Sequence, residues 1–463
     1  MTLTTRAPDL AALEPAIDSI WRIAADFGLE PFPTHFEIVP ASIMYEIGSY
    51  GMPGRFTHWT HGKSYHLQKS MYDFGMSKIY ELVINTDPCW AFLLESNSLL
   101  ENQFVVAHVL GHSDFFRNNA YFQKTSRRML DTIKLNVDRI RDYEYQYGVK
   151  AVEETLDAVL SIQEHVAPWE QCDLGEGSGP SRDRAGSYDD LWVLDQTGSE
   201  QAAEPVQVSG QRCRTPQHDL LLFLAVESPA LEDWQRDIVQ IVRSEMLYFY
   251  PQMQTKIINE GWASYWHVQI MRALDLPMDD HVEFAKLHSG VVQSHPHRLN
   301  PYFLGFSMLN DIERRFDAID GEGAGRDRLF QVRETECDVS LVRNYLTQEL
   351  VENLDLYFAE RQGDELVVTE KDWESVRDRL VDQLVDFGIP TITAEDADYR
   401  GNRELYLRHH WTGQPLDARW AKKALEGVQT LWGRAVWLET QRDDKLVRLR
   451  YHPFDGHTTE DAD

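Results

Sequence analysis

The sequence predicts an α+β protein that is predominantly helical, with a smaller α+β domain at its C-terminal end. Three observations carry that prediction. Apolar residues recur at helical spacing over most of the first 354 residues, short β-rich runs gather from about residue 355 onward, and the segment FVVAHVLGH is apolar on nearly every side. A chain of 463 residues can hold a main domain, here placed at 1–354, and a smaller one at 355–463.

The elements follow in order. Residues 9–28 have apolar positions at helical spacing and end at Phe27-Gly28, which predicts an opening helix. YELVINTDPCWAFLLES predicts two short strands around the Asp87-Pro88 turn. Ser98-Leu99-Leu100-Glu101 forms a capping box, so a helix is expected from Leu99 to about Asp114. From Phe122 to about His165 the pattern is that of long amphipathic helices. Residues 169–217, rich in Gly, Ser and charge, read as a flexible acidic insertion. Ser228-Pro229 predicts a further helix start, and Pro251 a kink or division before QTKIINEGWASYWHVQIMRAL. HSGVVQSHPHRLNPYFLG separates that helix from the helical SMLNDIERRF. The runs LVVTE, IPTITAE, ELYLRHH, AVWLET and KLVRLRYH, mixed with two helical patterns, make up the C-terminal domain, and the tail GHTTEDAD is expected to fray.

Composition narrows the function. A 43% hydrophobic content with 13 Trp, 19 Tyr and 20 Phe belongs to a folded protein. No apolar run is long enough to cross a bilayer, and the first twenty residues lack the basic end and apolar stretch of a signal peptide. A cytoplasmic location is expected, away from membranes. Four cysteines without CxxC spacing suit a reducing compartment and exclude a disulfide scaffold or zinc ribbon. A formal charge of −30 argues against nucleic acid or an anionic lipid surface as the main partner.

The chemistry centres on two helices. His108 and His112, four apart in an apolar helix, project from one face of it. Buried imidazoles need partners, because each unpaired buried polar group costs about 1–3 kcal/mol. A metal held by both satisfies them, as in zinc peptidases of the HExxH type. Two core histidines hydrogen-bonded to protein groups are the alternative, and HxxxH alone is a weak signal. The second helix strengthens it: in NEGWASYWH, Glu260 and His267 are seven apart and share a face, with Ser264 between them.

His108, His112 and Glu260 make a His2Glu set of the kind zinc accepts with one position open. His267 is either a fourth ligand or a group behind the ligands. With His267 bound, zinc is closed and structural, whereas iron or manganese keep open positions. A divalent metal is expected, zinc first, in an N-terminal region of zincin-like organisation built on the buried HxxxH helix.

That likeness breaks at Val109, where HExxH enzymes hold the glutamate that deprotonates water. Asp114, Glu245 and Glu334 are the acids nearest the motif segments, each read first as a surface charge or salt-bridge partner. His58, Trp59 and His61 lie in YGMPGRFTHWTHGKSY, a loop whose simpler reading is aromatic packing. His295, His297 and Tyr302 offer a further ligand or an oxyanion donor, with His297 the first to mutate. Ser113 and Ser264 have no identifiable triad, and no P-loop, GxGxxG fingerprint or kinase signature is visible.

Several strings resemble those of the SpoVR family, stage V sporulation protein R: ELVINTDPCWAFLLES, AHVLGHSDFFRNN, LEDWQRDIVQIVRSEMLYFYPQMQTKIINEGWASYWH, LNPYFLGFSMLNDIERRFD and RETECDVSLVRNYLTQELVENLDLY. YGMPGRFTHW and HHWTGQPLDARWAKKALEGVQTLWGRAVWLET are also similar. The likeness covers most of the chain outside the insertion and the two ends. It implies a cytosolic protein linked to sporulation, through cortex formation in spore formers, and to stress physiology, in a family that also occurs in organisms that make no spores. It also implies a PrkA-type serine protein kinase and a von Willebrand-like protein as partners. It supplies no catalytic residues, and the family lacks Glu at the position of Val109, which weakens a peptidase more than a metal site. Two expectations stand: a metal-dependent hydrolase, or a non-catalytic regulatory scaffold acting with those partners.

Overall fold

The computed structural model describes residues 7–73, 81–169, 216–294, 299–362, 365–442 and 445–461. The chain is mostly helical with small sheets, as an α+β protein should be. It opens with α1 (Ala7–Asp26), followed by β1 (Thr34–Val39), α2 (Ala41–Tyr50) and α3 (Trp59–Asp73). The last of these corrects the loop reading of YGMPGRFTHWTHGKSY. Only its first half, where Gly51 and Gly54 take positive φ, is irregular, and the backbone bonds from His61 and Gly62 to the His58 carbonyl start a helix.

Next come β2 (Glu81–Ile84) and β3 (Cys89–Leu94), antiparallel on either side of Asp87-Pro88 as expected, with β1 added in parallel on the far side of β3. Alternation along these strands is strict in its consequence. Cys89, Ala91, Leu93 and Val83 face one apolar cluster, whereas Phe92, Leu94, Leu82 and Ile84 face another. The first cluster is dominated by α4 (Leu99–Asn118), a turn longer than predicted. Ser98 Oγ accepts from the Glu101 N–H and the Glu101 carboxylate accepts from Ser98 N–H, so the capping box forms as the sequence specified.

The amphipathic pattern becomes α5 (Met129–Tyr147) and α6 (Val149–Leu160). Most of the predicted insertion, 170–215, lies outside the described residues. α7 (Leu220–Glu227) and α8 (Asp233–Gln254) follow, and here the expected helix start at Ser228-Pro229 is wrong. Ser228 instead ends α7, and its hydroxyl donates to the Leu431 carbonyl while accepting from Ala230 N–H, which holds the backbone out of a helix until Asp233. Pro251 sits inside α8, which continues one turn beyond it before breaking at Thr255.

The chain then forms α9 (Lys256–Ala273), α10 (Met278–Val291), α11 (Pro301–Asp320), α12 (Ala324–Thr335), α13 (Asp338–Tyr345) and α14 (Gln348–Asn353). The hairpin β4 (Phe358–Gln362) and β5 (Glu365–Glu370) leads to α15 (Trp373–Leu384). Last come β6 (Ile392–Tyr399), β7 (Glu404–His409), α16 (Ala418–Trp432), β8 (Val436–Arg442), β9 (Lys445–His452) and β10 (Gly456–Asp461) in one sheet of order β10-β9-β8-β7-β6. Most of the tail predicted to fray is therefore a strand, paired antiparallel with β9 from Gly456 to Asp461.

Two compact units result, Met1–Glu153 with Glu245–Ile389, and Glu154–Ser244 with Pro390–Asp463. The first unit thus runs to Ile389, past the change of texture at 354/355. The β4–β5 hairpin and α15 belong to it, because Phe358, Val376, Leu380 and Val381 join its core. Among the described residues no helix is long and apolar enough to cross a membrane.

Candidate metal centre

The centre lies in the first unit and is built on α4 and α9. Every α4 residue from Phe104 to Phe116 is buried, and burial of each large aliphatic or aromatic side chain there contributes roughly 1.5–3 kcal/mol. α9 is buried almost as completely, from Ile257 to Val268 with one gap at Glu260. Small residues set how closely these helices cross. A Cβ on Gly111 would lie 2.7 Å from the Ala263 Cα, and one on Gly261 would lie 2.5 Å from the Gly305 carbonyl carbon of α11. The N-terminus of α9 is held by Asp338, whose two carboxylate oxygens accept from Ile257 N–H at 2.8 Å and Ile258 N–H at 2.9 Å.

This packing brings His108, His112 and Glu260 together, and adds a residue the sequence reading missed. His108 Nε2 lies 3.2 Å from Glu81 Oε1 and 3.7 Å from Glu260 Oε2, and His112 Nε2 lies 3.3 Å from Glu260 Oε2 and 4.0 Å from Glu81 Oε1. Ligand atoms of Glu81, His108 and His112 all fall within 4.8 Å of one another, close enough for one ion. His108 Nε2 and Glu260 Oε2 are buried without a hydrogen-bond partner, and they face each other. The carboxylates keep 20% and 18% side-chain exposure against 2% and 5% for the imidazoles.

Behind the donor atoms each imidazole is fixed by its other nitrogen. His112 Nδ1 is 2.9 Å from Asn259 Oδ1, and His108 Nδ1 is 2.8 Å from His267 Nδ1. Nε2 inward and Nδ1 held by a protein group is the usual arrangement of histidine ligands. His267 therefore stands behind His108, away from the donor cluster, so of its two predicted roles the position fits the outer one. Its Nε2 is bonded at 2.8 Å to His288 Nδ1 on α10.

Charge within the cluster is strongly coupled. Burial alone would lower His112, but the adjoining carboxylate of Glu260, joined by Glu81, pushes it up to about 9. Burial opposes ionisation of Glu260, yet the neighbouring imidazoles of His108 and His112 hold its carboxyl well below the usual carboxylate range. Glu81 is raised, by burial first and by the Glu260 charge as well, against the pull of His108 and His112. The two acids thus part company, one firmly ionised and one with a raised proton affinity. Tyr302 lies at the start of α11, and its phenol is raised by burial and by the charges of Glu260 and Glu81. Its ring centroid lies 6.1 Å from that of His108.

The other acids nominated from sequence are occupied elsewhere. Asp114 is buried and pairs with Arg333, Glu245 is buried and bonded at 2.6 Å to Arg55, and Glu334 pairs with Arg333. None joins the donor cluster. His58 and His61 are buried among aromatic rings, with His61 at 4.9 Å from Tyr50 and His58 at 5.6 Å from Trp59. His295 and His297 lie outside the described residues.

Glu81 did leave a signal in the sequence. On a strand of period two it shares a face with Val83, and Val83 packs on the cluster that contains α4. Carried through the turn and the capping box, that alternation aims Glu81 at the histidine helix.

Comparison with known proteins agrees with the resemblance noted in the sequence. The SpoVR like protein family matches residues 8–389, and the SpoVR-like C-terminal domain matches residues 390–443. Their junction coincides with the end of the first compact unit at Ile389. A protein of Escherichia coli strain K12, named uncharacterized protein YcgB, is 30% identical over 482 aligned positions, covering 94% of this chain and 93% of its own. No solved structure matches. With both family descriptions met in order along one chain, the protein belongs to the SpoVR family.

Proposed function

We propose that His108, His112 and Glu260 hold one divalent metal ion with Glu81 beside it, and that the centre hydrolyses a polar bond such as a peptide or amide. The observation that carries the reading is the convergence of two imidazole Nε2 atoms and two carboxylate oxygens, with lone pairs of His108 and Glu260 left unpartnered inside the protein. Zinc, iron and manganese all suit a mixed nitrogen and oxygen set, zinc first. The ion, when bound, supplies Lewis-acid activation of water or of a carbonyl oxygen.

The chain's own groups supply the rest. His108 and His112 present Nε2 to the ion, His112 releasing its proton as the ion binds, and are kept inward by His267 and Asn259. Glu260 offers a carboxylate that the two imidazoles keep ionised. Glu81, coming from a strand, takes the part of proton acceptor that Val109 cannot, and its raised proton affinity suits a group that takes a proton at Oε1. A helix bearing HxxxH beside a short sheet extends the zincin analogy to this region.

A second reading draws on the same count of donors. With Glu81 and Glu260 both bound, zinc has four protein ligands and no open position, which suits a scaffold holding α4, α9 and β2 together. In that case the protein acts in sporulation or stress signalling through a PrkA-type serine protein kinase and a von Willebrand-like partner, in the cytoplasm. Incubating the metal-replete protein with a mixed peptide library separates the two. Hydrolysis predicts cleavage that vanishes on chelation and in His108→Ala/His112→Ala, while a metal-loaded protein that cleaves nothing supports the scaffold.

A further inference from the structure

The donor cluster does not end at its ligands. Three imidazoles form a line from the centre to α10, with His108 Nδ1 2.8 Å from His267 Nδ1 and His267 Nε2 2.8 Å from His288 Nδ1. His267 is fully buried, enclosed by Phe104 of α4 at 4.5 Å and Phe284 of α10 at 6.2 Å between ring centroids. His288 is partly exposed and rests on Phe306 of α11 at 5.0 Å. α10 itself is lightly held: of its 14 residues only Phe284 is buried.

Each neutral imidazole carries one N–H, so the line has a direction. When His108 gives its Nε2 lone pair to a metal, its proton stays on Nδ1 and donates to His267 Nδ1. His267 then carries its proton on Nε2 and donates to His288 Nδ1, leaving the His288 proton on Nε2. Without metal, the His108 proton can sit on Nε2, which faces the carboxylate oxygens of Glu81 at 3.2 Å and Glu260 at 3.7 Å. His108 Nδ1 then accepts from His267 Nδ1–H, and His267 Nε2 accepts from His288 Nδ1–H.

The geometry points to His267 and His288 as positioning residues that set the tautomer of His108, and to a reversal of this imidazole line on metal binding that reports occupancy of the centre at α10. The inference rests on the metal reading and adds a regulated output to it. No proton is gained or lost along the line. Each imidazole exchanges one tautomer for the other, which places the change at a partly exposed ring on the least embedded helix of the site.

The experiment uses the full chain with nitrogen-15 histidine, without metal and with one equivalent of zinc, and reads ring tautomers by long-range proton–nitrogen correlation. His288→Gln assigns the His288 signals. Zinc content is measured on the same samples, and a protein that takes up no zinc overturns the metal reading and this inference with it. With zinc bound, His288 is expected to pass from the Nδ1–H to the Nε2–H tautomer. In His267→Phe the metal-dependent change should disappear, and zinc affinity should fall by about 10- to 100-fold. An unchanged His288 tautomer in a zinc-loaded protein overturns the inference alone, as does a change that persists in His267→Phe. Should that variant not fold, His288→Ala at the partly exposed end gives the second test: roughly tenfold weaker zinc binding is expected, and unchanged affinity counts against the proposal.

Discussion

Two buried carboxylate clusters share the same pair of helices and solve the same electrostatic problem in opposite ways. Asp114 follows His112 by two residues and so points to the other side of α4. There its Oδ1 accepts from Glu30 N–H at 2.7 Å, Asn118 Nδ2 at 3.2 Å and Arg333 Nη1 at 2.9 Å, and its Oδ2 accepts from Trp262 Nε1 at 2.9 Å and Arg333 Nη1 at 3.0 Å. Protein donors close that cluster. On the histidine side, Glu81 and Glu260 meet two imidazoles whose remaining nitrogens are already used, and the unpartnered atoms turn toward one another. A buried charge enclosed by N–H donors holds helices together, whereas converging lone pairs leave room for a cation.

The largest effect should come from breaking the closed cluster. Arg333→Ala leaves Asp114 buried and unpaired, so unfolding by urea is expected to show a loss of about 3–5 kcal/mol, with metal per folded chain unchanged. Chelation should act only on the open cluster. Metal at a hundred times its dissociation constant adds about 2.7 kcal/mol, so the melting temperature should rise with metal concentration in the wild type and in Arg333→Ala but not in Glu260→Gln. If Glu260→Gln responds as the wild type does, the two clusters do not differ in the way described.

A third variant joins the two sides. Gly111→Ala forces α4 away from Ala263 and is expected to cost about 1–3 kcal/mol while also weakening metal binding, because it shifts both histidines relative to Glu260. The smallest effect is expected at Ser98→Ala, which removes the cap of α4 far from either cluster. A loss of about 1 kcal/mol with the metal response intact would show that helix stability and site geometry separate. A lost metal response in this variant would tie the site to the helix end.

The sequence disclosed what depends on local rules. The capping box at Ser98, the strands flanking Asp87-Pro88 and the shared face of His108 and His112 are all set by neighbours within a few residues. Glu260 was legible because an acid among Ile257, Ile258 and Trp262 has to be answered by something. What failed depends on distant partners. Ser228 looks like a helix start until the Leu431 carbonyl claims its hydroxyl, and the tail looks frayed until β9 pairs with it.

The same holds for the acids around the centre. Asp114 and Glu245 are ordinary candidates in sequence, and only Arg333 and Arg55, 219 and 190 residues away along the chain, take them out of contention. Glu81 begins β2, and only the tertiary packing of that strand against α4 brings it to the histidines. His267 was placed on the right face of α9, but spacing alone cannot tell a ligand from the group behind it.

The central claim, that the histidine side of α4 is a metal centre, is tested most directly by elemental analysis of the full chain purified under metal-replete conditions. The wild type is predicted to carry one divalent ion per chain, and His108→Ala/His112→Ala, folded by circular dichroism, none. A wild type without stoichiometric metal, or a double variant that keeps it, would contradict the account.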